Sequence, residues 1–226
     1  MLISFDHVTK IYGSKSIGLD DINFKIESGE FVFLVGPSGA GKTTMLRLLI
    51  RDLLPTRGKV FVDNQDVTKI PKSRVPQLRR KIGMIFQDFK LLTDRTVFEN
   101  ISIALEILGR SQKEIDKKVL EVMYLVGLVD KKYLFPGQLS SGESQRAAIA
   151  RAIIGGPKVL LADEPTGNLD PTTSWEILKI LKEVNKLGTT ILMATHNADI
   201  VNSMKKRVIM VEKGKIVKDQ KEGRYH

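Results

Sequence analysis

The sequence contains no cysteine, a single tryptophan and no long apolar run. Without cysteine there are no disulfides and no thiolate metal ligands, and this composition is typical of a reducing compartment. No segment approaches the roughly 18 consecutive apolar residues that a membrane-spanning helix needs. Residues 1–7 also lack the basic start and apolar stretch of a secretory signal. We therefore expect a cytoplasmic protein that does not itself cross a membrane.

Basic residues outnumber acidic ones, 36 to 26, which gives a formal net charge of +10. They are scattered in short clusters, such as residues 79–81 and 205–207, and most clusters lie beside helical patterns that need a solvated face. Solvated helix faces are therefore the favoured explanation, and contact with an anionic membrane surface is the alternative. Nucleic acid is the least favoured partner, and we expect no direct contact with it.

A glycine-rich segment lies between an apolar run at residues 31–35 and a helical pattern that begins at Thr43. Its glycines allow backbone N–H groups to turn inward around phosphate oxygens, and the helix N-terminus adds positive potential. Lys42 is placed to reach the β- and γ-phosphates, and the Thr43 hydroxyl to ligate Mg²⁺. This P-loop predicts binding of a nucleoside triphosphate. The predicted nucleotide-binding residues here are Gly36, Pro37, Ser38, Gly39, Ala40, Gly41, Lys42, Thr43 and Thr44.

The hydrophobic pattern changes along the chain and predicts an α/β fold. Residues 20–30 alternate as a half-buried antiparallel strand does, and residues 59–67 predict two more short strands. Short apolar runs predict buried strands of a mostly parallel sheet, and these lie at residues 82–86, 159–162, 190–194 and 208–211. Helical spacing between residues 97 and 128 predicts an all-helical insertion from about Gln87 to Gly156. The predicted fold is that of a P-loop NTPase with an N-terminal antiparallel β subdomain and an α-helical insertion.

Two carboxylates end the apolar run at residues 159–162. In P-loop ATPases a second nucleotide motif lies at such a strand end, so Asp163 is predicted to hold Mg²⁺ and Glu164 to polarise the attacking water. His196 follows another predicted strand on the side where parallel sheets bind ligands. It is predicted to contact the γ-phosphate, although a lone histidine in such a position is usually structural.

Residues 139–146 precede a helical pattern at residues 147–154, and Ser140 with Glu143 fits a capping box. This is a second helix N-terminus that can hold an anion, although an ordinary capped helix would look the same. Because the P-loop already supplies one such site, the second is predicted to serve the nucleotide of an identical partner in a two-fold dimer.

These motifs, in this order, resemble those of ABC-type ATPase subunits over essentially the whole chain. The resemblance implies that ATP is the nucleotide, that Tyr12 stacks on adenine and that Gln87 senses Mg²⁺ and water. It also implies that Ser140 and Gly142 contact the opposing γ-phosphate and that Asp170 connects the two sites of a dimer. The catalytic set is then Glu164, His196, Gln87 and Lys42, and the metal set is Thr43, Gln87 and Asp163.

The chain departs from the family pattern in its signature segment. Ser141 stands where the family usually has a glycine, and Ser144 where glutamine is common. A side chain at position 141 is expected to crowd the opposing phosphate or to restrict φ, and so to weaken ATP-driven dimerisation relative to glycine.

The resemblance also implies a domain organisation. Residues 1–226 form a single ABC ATPase domain, in which residues 1–86 and 157–226 make a RecA-like core with the antiparallel β subdomain. Residues 87–156 form the helical subdomain that carries the signature motif.

Three segments are most similar to the bacterial cell-division branch of this family, namely residues 86–92, 163–171 and 194–197. That similarity implies an ATP-dependent homodimer, peripheral on the inner face of the cell membrane. Its partner is an integral membrane subunit of the FtsX kind, through which ATP hydrolysis controls cell-wall hydrolases. The apolar cluster Phe89, Leu91 and Leu92 is the predicted docking surface for that subunit.

The sequence suggests two alternative functions. An ATPase of a lipoprotein-release or macrolide-export system has a similar segment at residues 165–170. A soluble ATPase of DNA repair would need a long heptad-bearing insertion between the two nucleotide motifs, and the intervening residues show no sustained heptad pattern.

Overall fold

The computed structural model describes residues 1–13 and 16–225, which fold into alternating strands and helices. None of the helices found there has the length and apolarity of a membrane span. The strands are β1 (Ile3–Tyr12), β2 (Ser16–Ile26), β3 (Phe31–Val35), β4 (Arg57–Val62), β5 (Gln65–Asp66), β6 (Ile82–Ile85), β7 (Val159–Asp163), β8 (Thr190–Thr195), β9 (Arg207–Glu212) and β10 (Lys215–Gln220). The α-helices are α1 (Lys42–Leu49), α2 (Val75–Arg79), α3 (Val97–Ile107), α4 (Gln112–Val126), α5 (Ser141–Ile153), α6 (Pro171–Lys186) and α7 (Ala198–Met204).

The strands of the described residues form two sheets. The smaller one is antiparallel, in the order β2-β1-β4-β5, and the larger one has the order β10-β9-β3-β8-β7-β6. In the larger sheet β9, β3, β8, β7 and β6 are parallel, and only β10 pairs antiparallel with its neighbour. The carboxyl ends of β3, β6, β7 and β8 therefore lie at one edge, where parallel sheets bind ligands.

The larger sheet is buried on both faces, as its near-continuous apolar strands predict. Phe31, Phe33 and Val35 of β3 pack into a cluster with helices α3 to α6. Val32 and Leu34 point the other way, into a cluster with α1 and the antiparallel sheet. Strand β3 is thus fixed from both sides, which holds the loop that follows it.

Each of the predicted strands is present, with small differences in their bounds. The predicted alternation in β2 is confirmed, because Ile22, Phe24 and Ile26 are buried while Asn23 and Lys25 are exposed. Strands β1 and β10 were not predicted. The helix predicted over residues 147–154 was placed too late, because α5 begins at Ser141 and its capping box is complete there.

Helices α3, α4 and α5 lie in the segment predicted to be an all-helical insertion, and no strand interrupts them in this fully described stretch. Their buried faces share one cluster with the larger sheet. The exact domain boundaries stay a prediction.

Candidate functional site

The P-loop connects β3 to α1 at the carboxyl edge of the larger sheet. Gly36 has φ of 145°, and a Cβ at this position would lie 2.0 Å from the carbonyl oxygen of Val211. Only glycine fits such an approach, because any side chain would overlap the backbone of β9. Ala40 is buried and its carbonyl accepts a hydrogen bond from the Gly214 N–H at 3.0 Å. The loop is therefore held in shape by β9 and the turn after it.

Lys42 is the first residue of α1 and is only 7% exposed. Its Nζ donates to the carbonyl of Gly36 at 2.7 Å and to that of Pro37 at 3.2 Å. The ammonium group thus lies inside the loop, close to where phosphates bind in sites of this type.

Thr43 and Asp163 place two oxygens side by side. The Thr43 hydroxyl donates to Asp163 Oδ1 at 3.2 Å, which joins the start of α1 to the end of β7. Burial raises the pKa of the Asp163 carboxyl above its usual value, and the Thr43 hydrogen bond opposes that rise. A hydroxyl and a carboxylate form the hard oxygen set that Mg²⁺ prefers.

The Glu164 carboxylate lies between the side chains of Lys42 and His196. Its Oε1 lies 3.7 Å from Lys42 Nζ and its Oε2 lies 3.0 Å from His196 Nδ1, while the carboxyl side chain is only 13% exposed. The residue has φ of 49°, and its backbone N–H donates to the Ala194 carbonyl at 3.0 Å. The end of β7 is therefore bent so that the carboxylate faces the P-loop.

A cavity of about 710 Å³ opens over these groups. Tyr12 lies at its wall, with its hydroxyl 3.1 Å from the Thr44 hydroxyl and its ring against Gly18. Gln87 lines the same cavity with an exposed side chain. The structure therefore brings together these residues predicted from sequence: Tyr12, Pro37, Ser38, Gly39, Ala40, Gly41, Lys42, Thr43, Thr44, Gln87, Glu164 and His196.

The signature residues do not line this cavity in the part of the chain that the structure describes. Exposed Ser140 caps α5, because its Oγ accepts from the Glu143 N–H at 3.2 Å and its own N–H donates to Glu143 Oε2 at 2.8 Å. The hydrogen bond from the Ser140 N–H lowers the pKa of the Glu143 carboxyl. Gly142 is buried, and a Cβ there would lie 2.6 Å from the Thr173 methyl group of α6.

Ser141 is the first helical residue of α5, is exposed and does not have a positive φ. The expectation that serine restricts φ here was wrong, because a helical φ is in the ordinary allowed region for residues with a side chain. The expected crowding of an opposing phosphate stays a prediction.

Asp170 is the N-cap of α6, where its Oδ1 accepts from the Thr173 N–H at 3.0 Å. Hydrogen bonding from Thr173 holds the pKa of Asp170 below its usual range. A smaller cleft of about 210 Å³ lies beside this helix start, and Trp175, Leu169 and His196 are among its walls. His196 thus borders both the cleft and the larger cavity.

Sequence reasoning missed four residues of the larger cavity, which are Ser16, Ile17, Gly18 and Tyr225. Gly18 carried a usable signal, since a glycine inside a strand marks the close approach of another group. Tyr225 carried none, because its place in the cavity depends on a contact with α7.

The ABC transporter family matches residues 19–167, more than half of the chain, and the chain therefore belongs to that family. It is an ATPase of the ABC type. Within the family it is similar to proteins named cell division ATP-binding protein FtsE. It is 51% identical to that of Bacillus subtilis, across 99% of this chain and 98% of the relative. With the Escherichia coli protein it shares 46% identity, across 94% of this chain and 96% of the relative.

Solved structures show the same fold. The dimeric, post-hydrolysis structure of the ATP-binding cassette MJ0796 bound to ADP and Pi matches with a TM-score of 0.91. The two sequences are 34% identical, and the match covers 99% of this chain and 100% of the other. The predicted fold class, that of a P-loop NTPase with an antiparallel sheet and added helices, is confirmed.

Proposed function

We propose that this chain is the ATP-hydrolysing subunit of a cell-division complex, and that it binds ATP with Mg²⁺ in the cavity over the P-loop. The observation that carries the catalytic part is the clasped carboxylate of Glu164, held 3.7 Å from Lys42 and 3.0 Å from His196. A carboxylate fixed beside the phosphate-binding lysine is placed to orient a water for attack on the γ-phosphate.

The other predicted residues have complementary roles. Lys42, together with the P-loop N–H groups, binds the β- and γ-phosphates, Tyr12 stacks on adenine, and His196 contacts the γ-phosphate. Thr43 and Asp163 hold Mg²⁺, whose charge offsets the negative charge that develops on the phosphates. Gln87 completes the metal set from the end of β6.

Glu164→Gln tests the catalytic assignment. The amide keeps the shape of the side chain but has no negative charge, so we expect ATP hydrolysis to fall by about 10²-fold or more while ATP binding persists. Glu183→Gln is the matched control, because this exposed carboxylate on α6 pairs only with Lys186 among the residues described. Unchanged turnover in Glu164→Gln would contradict the role of Glu164.

The site is proposed to be completed by a second copy of the chain. The capped start of α5, with Ser140 exposed, is a helix end that could bind an anion, and it does not line the cavity of its own chain in the residues described. In a two-fold dimer this end would face the partner's γ-phosphate, with Asp170 between the two sites. The dimeric state of the solved relative MJ0796 supports the formation of a dimer. A stable dimer of Glu164→Gln with ATP is the expected result in size exclusion.

The relatives named for cell division support an assignment to that process. On this proposal the chain is cytoplasmic and peripheral on the inner face of the bacterial membrane, bound to an integral membrane subunit of the FtsX kind. The ATP cycle would act through that subunit on cell-wall hydrolases.

A groove of about 570 Å³ is proposed as the docking surface for that subunit. Its floor is apolar, with Phe86, Ile107 and Leu108 among its walls, and its lining includes four cations and no carboxylate among the described residues. The cations are Arg79, Arg80, Lys90 and Arg151. This charge pattern fits a helix with an apolar stripe flanked by carboxylates.

Arg151 adds positive charge to the groove, because its hydrogen-bond acceptors do not neutralise it. Its guanidinium donates to the Phe89 carbonyl at 3.0 Å and to the Asn100 amide oxygen at 3.4 Å, both neutral acceptors. Burial lowers the pKa of this group.

The sequence placed the docking surface at Phe89, Leu91 and Leu92, but the groove lies beside that cluster and is lined by none of the three.

The substitution Ile107→Glu tests the docking surface. Ile107 is 58% exposed and lines the groove, so a carboxylate there should disrupt the apolar contact and release the protein from the membranes of producing cells. Tyr124→Glu is the control, because Tyr124 is 72% exposed on α4 and does not line the groove. If folded, ATP-binding Ile107→Glu still sediments with membranes, the docking surface lies elsewhere.

A further inference from the structure

Beyond β10, residues 221–225 form a segment that we call the C-terminal strap. It turns back so that Gly223 is buried against Val208 of β9, and the Gly223 N–H donates to the Lys206 carbonyl at 3.2 Å. A Cβ on Gly223 would lie 2.5 Å from the Val208 Cβ. Glycine at this position is therefore what lets the strap run close to β9.

The strap is attached to α7 by one side chain. The Asn202 Nδ2 donates to the Tyr225 carbonyl at 2.9 Å, and the Tyr225 N–H donates to Asn202 Oδ1 at 2.8 Å. Both backbone hydrogen-bonding groups of Tyr225 are thus satisfied by a single amide. Such a paired contact fixes both the position and the orientation of Tyr225 on the helix.

The N-terminus of helix α7 lies next to the nucleotide cavity in the chain. It begins at Ala198, directly after His196 and the N-cap Asn197. The Tyr225 side chain is half-buried, packs against the apolar cluster shared by the sheet and the helices, and lines the nucleotide cavity. The strap therefore delivers an aromatic residue to a cavity otherwise built from the P-loop, β2 and the strand ends.

We propose that Tyr225 is a further nucleotide-contacting residue of this ATPase and that Asn202 is the residue that positions it. The proposal rests on the nucleotide site proposed for this cavity. The ring supplies an apolar wall that keeps water from one side of the bound nucleotide, and Asn202 keeps the ring in place. This contact stabilises bound ATP before and during hydrolysis alike, so it changes the binding constant more than turnover.

The test compares Tyr225→Ala with Tyr225→Phe. We measure Kd for ATP with Mg²⁺ by calorimetry in the Glu164→Gln background, and kcat and KM in the otherwise unchanged chain. Tyr225→Ala is expected to raise Kd and KM by about 3–10-fold, the loss typical of one contact, with kcat nearly constant. Tyr225→Phe keeps the ring and is expected to restore most of the affinity.

Asn202→Ala tests the positioning role. It removes both hydrogen bonds between residue 202 and the Tyr225 backbone but leaves the aromatic ring. We therefore expect it to raise KM, as Tyr225→Ala does. The double variant is expected to be no weaker than Tyr225→Ala alone, because both changes break one connected contact. Glu222→Gln, an exposed strap residue outside the cavity, is the control and should leave Kd unchanged.

Two outcomes overturn the proposal. One is a folded Tyr225→Ala protein whose Kd for ATP equals that of the protein with Tyr225 unchanged. The other is a Tyr225→Ala protein that binds ATP more tightly. Tyr225→Leu serves as the second variant if the alanine protein does not fold, and a smaller loss of affinity in the same direction is expected, because leucine covers less of the nucleotide than the ring does. Failure of the nucleotide site itself is recognised separately, because Lys42→Ala would then still bind ATP.

Discussion

Gly36 shows how much of the site depends on a single residue. It combines a φ of 145° with a backbone approach to Val211 that leaves no space for a Cβ. At this point the chain leaves the buried strand β3 and enters the phosphate-binding loop. The shape of the loop therefore depends on β9, a strand far away in the sequence, as well as on its own glycines.

Gly36→Ala is expected to lower the free energy of unfolding by roughly 2–4 kcal/mol, from backbone strain and steric overlap together, and to weaken ATP binding. Gly29→Ala is the matched control. Gly29 also has a positive φ, 81°, but no other group lies within 4 Å of the point that a Cβ would occupy, so only about 1 kcal/mol of backbone strain is expected. Urea unfolding and ATP titration of both variants check this, and equal losses would contradict the steric argument.

Sequence reasoning found the site residues that belong to local motifs. The P-loop, the Asp163 and Glu164 pair and His196 each lie at a recognisable strand end, so their meeting at one sheet edge follows from parallel topology. Tyr225 could not be found in this way, because its contact with Asn202 spans 23 residues and no local pattern marks it.

Among the elements, α5 and α4 begin with the same capping box. Ser140 with Glu143 opens α5, and Ser111 with Glu114 opens α4. Each serine oxygen accepts a hydrogen bond from a backbone N–H. The Ser111 hydroxyl also donates its proton to Glu114 Oε2 at 3.1 Å. The two helices share this type of cap, but only the start of α5 is proposed to meet a phosphate.

Ser140→Ala and Ser111→Ala are each expected to lower the free energy of unfolding by about 1 kcal/mol, the usual effect of losing an N-cap. Only Ser140→Ala is expected to reduce ATP hydrolysis, by about tenfold or more, through loss of its proposed hydrogen bond to the opposing γ-phosphate. Thermal unfolding and steady-state hydrolysis of the pair provide the measurement. Equal activity in the two variants would remove Ser140 from the site.

The missed strands have physical explanations at the same scale. Strand β1 carries His7 in a left-handed conformation, and its pairing with β2 shifts register between Phe5 and Val8. That irregularity breaks the alternation by which a half-buried strand is recognised. Strand β10 is an exposed edge strand rich in charged residues, so it has no apolar pattern to detect.

At the scale of the whole molecule, Asp63 links the two sheets. It lies in the turn between β4 and β5, and its carboxylate accepts from Lys158 at 2.9 Å and from Lys81 at 3.0 Å, next to β7 and β6. Hydrogen bonds from Lys158 and then Lys81 lower the pKa of Asp63. The antiparallel sheet is thereby tied to the parallel one at the edge opposite the nucleotide.

This link should make stability depend on pH. Because the pKa of Asp63 is lower in the folded than in the unfolded chain, its contribution is complete above the usual aspartate pKa and is lost as pH falls through the folded value. Asp63→Asn is therefore expected to lower the free energy of unfolding by about 1–2 kcal/mol at pH 7. The difference between the two proteins should shrink as pH falls below the usual aspartate pKa, which urea unfolding at neutral and at acidic pH checks. A constant difference would contradict the ionic nature of the link.

The cleft beside α6 contains the residue that dominates the fluorescence of the protein. Trp175 is the sole tryptophan of the sequence, the residue is 41% exposed, and it shares the cleft with His196. All indole fluorescence of the protein therefore originates at one point, next to a residue proposed to contact ATP. If a second copy closes over that face, the indole loses water and its emission shifts to shorter wavelength. The unlabelled protein then carries its own time-resolved signal for each round of closure and release.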